Sequence, residues 1–125
     1  MPISEKYKIT VITDTDYLHV SISGVWGGET SSSILNETIA LYDEGRHRGL
    51  LTDVREMDVQ TSPVSDYYNV RAAASSGFEK IKKWAAVVNP KFAEENSFFE
   101  TAAQNAFINI RFFDADQDAI DWLNE

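Results

Sequence analysis

Leu50-Leu51-Thr52-Asp53-Val54 is a short, nearly continuous apolar run. A strand with one wet face alternates apolar and polar residues. A run like this one suits a strand covered on both faces, as in a parallel sheet. Trp84-Ala85-Ala86-Val87-Val88, ended by Asn89-Pro90, repeats the pattern. A helical segment separates the two, with Ser62 as its cap and Pro63 in its first turn. It carries Val64, Tyr67, Tyr68, Arg71 and Ala74 before Gly77. A strand, a helix and a second strand at this spacing predict a right-handed crossover and parallel pairing.

Working outward, residues 8–13 alternate with β-branched side chains and read as a strand. Asp14-Thr15-Asp16 is a turn, and residues 17–25 supply the antiparallel partner. Trp26-Gly27-Gly28 breaks that strand. A helix over about 30–44 follows, with Ile34, Leu35, Thr38, Ile39, Leu41 and Tyr42 on one face and Gly45 as its stop. Toward the C-terminus, a helix over about 93–106 carries Phe98, Phe99, Ala102, Ala103 and Ala106. A last strand runs from Ile108 to Phe113, and Ala115, Ala119, Ile120, Trp122 and Leu123 make a closing helix. The order is β-β-α-β-α-β-α-β-α. It predicts an α/β fold with a mostly parallel five-stranded sheet, in which the strands at 50–54, 84–88 and 108–113 are parallel and central. Residues 1–125 contain no repeat or linker and are expected to form one domain.

Composition narrows the partners. With 20 Asp and Glu against 11 Lys and Arg, the formal charge is −9, which disfavours nucleic acid. Arg46-His47-Arg48 and Lys80 to Lys83 are short basic clusters at the ends of elements and read as solvated ends. No apolar run reaches signal-peptide or membrane-helix length, and there is no cysteine. A cytoplasmic protein without membrane insertion is expected.

Three stretches then point to a family. They are Leu50 to Arg55, Lys83 to Val88, and Ile110-Arg111-Phe112-Phe113-Asp114 with Ala119 and Trp122-Leu123 close behind. In this order, over about residues 8–124, they resemble the SpoIIAA-like family, a STAS-related group of small bacterial domains. The resemblance implies a sheet backed by helices, related to anti-sigma-factor antagonists and to the CRAL-TRIO lipid-binding fold. Sigma-regulatory STAS proteins carry a phosphorylatable serine in an Asp-Ser-Ser-Gly-like stretch at a helix start. The corresponding Asp58-Val59-Gln60-Thr61-Ser62-Pro63 has hydroxyls but neither the adjacent Asp nor the Gly. Ser62 is therefore read as a helix cap, with phosphorylation of Thr61 or Ser62 left open.

Catalytic motifs are sparse. His19 and His47 lie far apart and, without cysteine, make no metal site; both are expected at the surface. Asp114-Ala-Asp116-Gln-Asp118 imitates the start of a calcium loop, but Ala119 stands where the turn needs Gly. No G-x-G-x-x-G, G-x-S-x-G or H-E-x-x-H pattern occurs, so no cofactor or metal is expected. In open α/β sheets, ligands sit beyond the carboxyl ends of parallel strands. Gly28, Asp53, Arg55, Asn89 and Asp114 fall at those ends and form the candidate ligand crevice. Nothing there pairs a nucleophile with a base. The expected function is a non-catalytic binding or regulatory module acting through a small ligand or a protein partner, and compatible with a homodimer. The alternatives are an enzyme using Asp53 and Arg55, or a carrier of a lipid-like apolar ligand.

Overall fold

The computed structural model describes residues 6–27 and 29–125. Among these, the chain forms β1 (Tyr7–Asp14), β2 (Leu18–Trp26), α1 (Glu29–Leu41), β3 (Leu50–Val59), α2 (Pro63–Ser75), β4 (Trp84–Val87), α3 (Ala93–Asn105), β5 (Ile110–Phe113) and α4 (Asp116–Leu123). The sheet order is β1-β2-β3-β4-β5. β1 and β2 form an antiparallel hairpin, while β2, β3, β4 and β5 pair in parallel. The expected element order and pairing senses are all present. One placement differs: β5 forms the sheet's edge, because each crossover steps one strand further in the same direction.

That stepwise order determines the layers. Crossovers of one hand, all moving the same way, deliver their helices to one face of the sheet. α1, α2 and α3 therefore share a face, and Ile34, Leu35, Val70, Ala73, Phe99 and Ala103 pack there against Val20, Ile22, Leu50 and Ile110. α4 follows the last strand and takes the opposite face. Ala119 and Trp122 cover Leu51, Ala85 and Val87 there. Both faces of β4 and of the start of β3, Leu50 to Thr52, are thus buried, as their apolar runs require.

α1 ends at Leu41, short of the expected residue 44. A loop takes over and is held by His47, which is buried and not at the surface as expected. Its Nδ1 accepts the Asp43 amide at 2.8 Å, so its proton sits on Nε2 and is donated to Asp14 Oδ1 at 2.6 Å. Arg46 Nη1 donates to the same oxygen at 2.7 Å. The basic cluster therefore ties this loop to the β1–β2 turn. At the C-terminus, Lys83 Nζ donates to the carbonyls of Trp122 and Glu125 at 2.8 and 3.1 Å, capping α4. Lys83 and Arg111 each lie 5.3 Å from the Trp122 ring centre.

Trp122 is buried, whereas Leu123 is only partly so. In denaturant melts, Trp122→Ala is expected to cost about 3–5 kcal/mol. Leu123→Ala should cost about 1 kcal/mol, because only part of that side chain leaves water. A near-zero effect at Trp122 would mean that α4 does not hold the second face.

Candidate functional site

β3 has ten residues, but β4 beside it and β5 beyond have four each. β4 stops at Val87, opposite Asp53, while β3 continues along β2 to Val59. The expected strand end at Val54 is therefore the middle of the strand. The β3 extension survives because β2 accompanies it to Trp26. A bulge interrupts this ladder: Ser21 pairs with Asp53 and Ser23 with Glu56, so Ile22 alone faces Val54 and Arg55. The extra residue lets Thr52 and Val54 before the bulge, and Met57 and Val59 after it, all face the helices. A regular strand would turn Met57 outward and Glu56 into the core.

The charged cluster forms at this bulge, on the α4 side. Asp53 Oδ1 accepts the Arg55 amide at 3.2 Å, and Asn89 Nδ2 donates to the Arg55 carbonyl at 3.4 Å. The guanidinium donates from Nε and Nη2 to the two Asp53 oxygens at 3.0 and 2.7 Å, and Nη2 also meets Asp116 at 3.0 Å. Burial alone would raise the Asp53 pKa, but the hydrogen bonds and charge of Arg55 outweigh it and hold the carboxyl below its ordinary range. His19 lies nearby on β2. Burial lowers its pKa, opposed by Asp53 and Asp116.

Of the five residues expected in one crevice, the structure joins Asp53, Arg55 and Asn89 and adds Asp116, which was not anticipated. Asp114 is exposed just beyond β5, and its carboxylate makes no hydrogen bond among the described residues. Gly28 lies outside the described residues. The end of β2 before it pairs at Val59, six residues past Asp53, or about 20 Å along the strand. The carboxyl edge of this sheet is thus a stagger and not a single crevice. Among the described residues, no group of acidic, His or Cys side chains is arranged to hold a metal, and no helix is long and apolar enough to cross a membrane.

On the helical face, over the β3 extension, lies a cavity of about 70 Å³ between the sheet and α1, α2 and α3. Its walls include Ile22, Trp26, Trp84, Phe99 and Phe112. Most of its hydroxyls are spent within the protein. Thr38 donates to the Ile34 carbonyl at 2.7 Å, and Thr52 accepts the Trp84 indole N–H at 3.0 Å. Two acids also line it: Asp66 of α2, which is 1 % exposed, and Glu95 of α3, which is half-buried. Thr61 donates to Asp66 Oδ1 at 2.9 Å. Burial pushes the Asp66 carboxyl up, only partly countered by hydrogen bonds from Thr61 and Trp26.

With this architecture in view, two solved structures are similar across almost the whole chain. An uncharacterized protein of the DUF3478 family with a SpoIIAA-like fold, from Shewanella loihica PV-4, aligns over 94% of this chain and 93% of its own, at 20% identity and TM-score 0.57. An anti-sigma factor antagonist from Mycobacterium paratuberculosis aligns over 100% of both chains, at 14% identity and TM-score 0.65. The chain has a SpoIIAA-like fold. No protein-family profile and no curated protein matches the sequence.

Within this SpoIIAA-like fold, α2 departs most from its sequence pattern. The stripe with aromatic spacing faces solvent: Val64 and Tyr68 are each 66 % exposed, and Tyr67 is 51 % exposed. The buried stripe is Asp66, Val70 and Ala73. Phe98 of α3 is also exposed, and with Tyr67, Val70 and Arg71 it borders a groove of about 290 Å³ between α2 and α3. Arg71 lies 5.6 Å over the Tyr67 ring. At the head of α2, Ser62 is extended, and its Oγ accepts the Ser65 amide at 3.2 Å, the geometry of an N-cap.

Two stability experiments follow from this geometry. Ser62→Ala should cost about 0.5–2 kcal/mol, while Ser62→Asp, an equally good cap, should retain stability. Equal stability of the alanine variant would deny the cap. The two carboxyls should respond oppositely to pH. Asp53, depressed in the folded state, contributes stability above about pH 4 that fades as pH falls through its folded value. Asp66, raised in the folded state, contributes stability present below about pH 4 and lost as pH rises through its folded value. Stability curves against pH for Asp53→Asn and Asp66→Asn should therefore diverge from wild type in opposite senses. A shared sense would refute one of the two environments.

Proposed function

We propose that this protein is a non-catalytic regulatory module that binds a protein partner through the outward face of α2 and the adjoining face of α3. The observation that carries this reading is the solvent-facing stripe of Val64, Tyr67 and Tyr68 beside Phe98. Large aromatic side chains cost a domain solubility when exposed together, and they are enriched where proteins meet. The fold likeness to a protein described as an anti-sigma factor antagonist supports a partner that is itself a protein. Turnover is not part of the reading, because no nucleophile is held against a base at the Asp53–Arg55 cluster. In that cluster, Nε and Nη2 of Arg55 already meet carboxylates, so a small anion there would have to displace Asp53 or Asp116.

The test is site-specific photocrosslinking from position 68 in the native cell, followed by binding measurements with the captured protein. Wild type should bind it, and Tyr67→Ser with Tyr68→Ser should weaken binding by about tenfold or more, the effect of losing aromatic anchors. Sedimentation across concentration provides the second arm. Dimerisation abolished by the same pair of substitutions would reassign this surface to a homodimer. Undiminished binding by the double variant would sink the proposal.

A further inference from the structure

A different observation carries an inference independent of the partner surface. We propose that the cavity over the β3 extension is a binding site for a small organic ammonium ion, with Asp66 as its counter-charge. Three features of the cavity point to that chemistry.

First, the walls present aromatic rings: Trp26, Trp84, Phe92, Phe99 and Phe112 all line it. The faces of such rings attract cations, and the attraction grows where water is excluded. Trp26 and Phe99 meet edge to face at 5.5 Å, so the two rings form a corner and not a flat wall.

Second, Asp66 is a buried acid without a basic partner. Buried carboxyls are ordinarily paired with a cation or kept neutral. Among the described residues no Lys, Arg or His lines the cavity, and no ion pair includes Asp66. Its carboxyl takes a hydroxyl donor from Thr61, which stabilises negative charge without neutralising it. The upward push on this carboxyl has the same origin, since burial is not balanced by a positive charge. Glu95, half-buried at the rim, adds a second negative group. With Asp66 ionised, the two carboxylates would disfavour fatty acids and phosphates.

Third, the free space is small. About 70 Å³ corresponds to on the order of five water-sized spheres, which suits an amine with a short apolar body. The ammonium would pair with the Asp66 carboxylate, and the alkyl part would lie among the rings.

The experiment uses the full chain and three probes of similar size and different charge: n-butylammonium, n-butanol and butyrate. Titration is followed by amide NMR shifts of the cavity residues and by calorimetry. The cation should saturate shifts around Asp66, Trp26 and Phe99. The alcohol should bind about tenfold more weakly or worse, the margin expected when ion pairing and cation–π attraction are both lost. Butyrate should produce no saturable shift. Asp66→Asn, close in shape to the native side chain, should weaken the cation by a similar factor and leave the alcohol unchanged. Equal affinity of wild type for cation and alcohol would overturn the proposal without needing any variant, and would leave a neutral apolar site. Saturable butyrate binding at these residues, or no response to any probe, would equally overturn it.

Discussion

Everything distinctive in this molecule depends on one strand outlasting its neighbour on one side. β3 continues for six residues after β4 stops at the level of Asp53, and only β2 accompanies it. An unaccompanied strand edge presents unpaired amides and carbonyls that must be satisfied. The bulge at Val54–Arg55 is part of the solution. It twists the extension, and its own backbone groups at Arg55 are taken up by the side chains of Asp53 and Asn89. The ion pair of Arg55 with Asp53 and Asp116 then holds the bulge against the head of α4. The cluster that sequence patterning marks as a ligand site thus has a structural task first.

The opposite face shows the complementary consequence. The floor of the cavity spans the sheet: Thr52 and Val54 of β3, Ala86 of β4 and Phe112 of β5 contribute to it, and Met57 and Val59 carry it onto the extension, past the ends of β4 and β5. The same bulge supplies Met57 and Val59, because it restores the inward phase after Arg55. At about 70 Å³, the free space is well below the roughly 300–1,000 Å³ of typical ligand pockets. An acyl chain would require α2 or α3 to move away from the sheet. A compact polar-headed ligand requires no such opening.

Legibility differed sharply between fold and site, for physical reasons. The apolar runs at Leu50 and Trp84 reveal parallel strands because burial on both faces leaves no room for alternation. The Ser62-Pro63 start of α2 was equally readable, since capping is a local interaction between residues three apart. The length of β3 was not readable. Arg55, Glu56 and Asp58 are poor strand residues, and they are tolerated only because β2 pairs with them across the chain. The burial of His47 is likewise a tertiary fact, made by Asp14 from a hairpin thirty-three residues away in sequence. Asp66 was missed because an acid in the first turn of a helix already has an ordinary explanation in the helix dipole. The one available signal was its phase: Asp66, Val70 and Ala73 recur at helical spacing, and that stripe competes with the Tyr67 stripe for the inward face.

The competition between those stripes bears on what α2 is for. A helix free to rotate about its axis would bury tyrosines and expose an aspartate, which is the cheaper arrangement by any transfer scale. Here the reverse holds, and two contacts enforce it. Pro63 and the Ser62 cap set the angle at which the chain enters the helix, and Thr61, just before them, engages Asp66 from inside. At the far end, Gly77 adopts φ 114°, a backbone conformation open chiefly to glycine, and turns the chain so that Phe78 is buried against Trp84 at a ring separation of 4.7 Å. Both ends of α2 are thus locked with its hydrophobic stripe outward. Inverted patterning of this kind costs stability without serving the core, and proteins retain such features where function uses them. On one helix, therefore, the side facing the cavity and the side facing solvent carry separate tasks. A substitution at Asp66 and one at Tyr68 should be separable in effect, since the Asp66 carboxyl is held from inside by Thr61 and Trp26, while the exposed Tyr68 ring meets that of Tyr67.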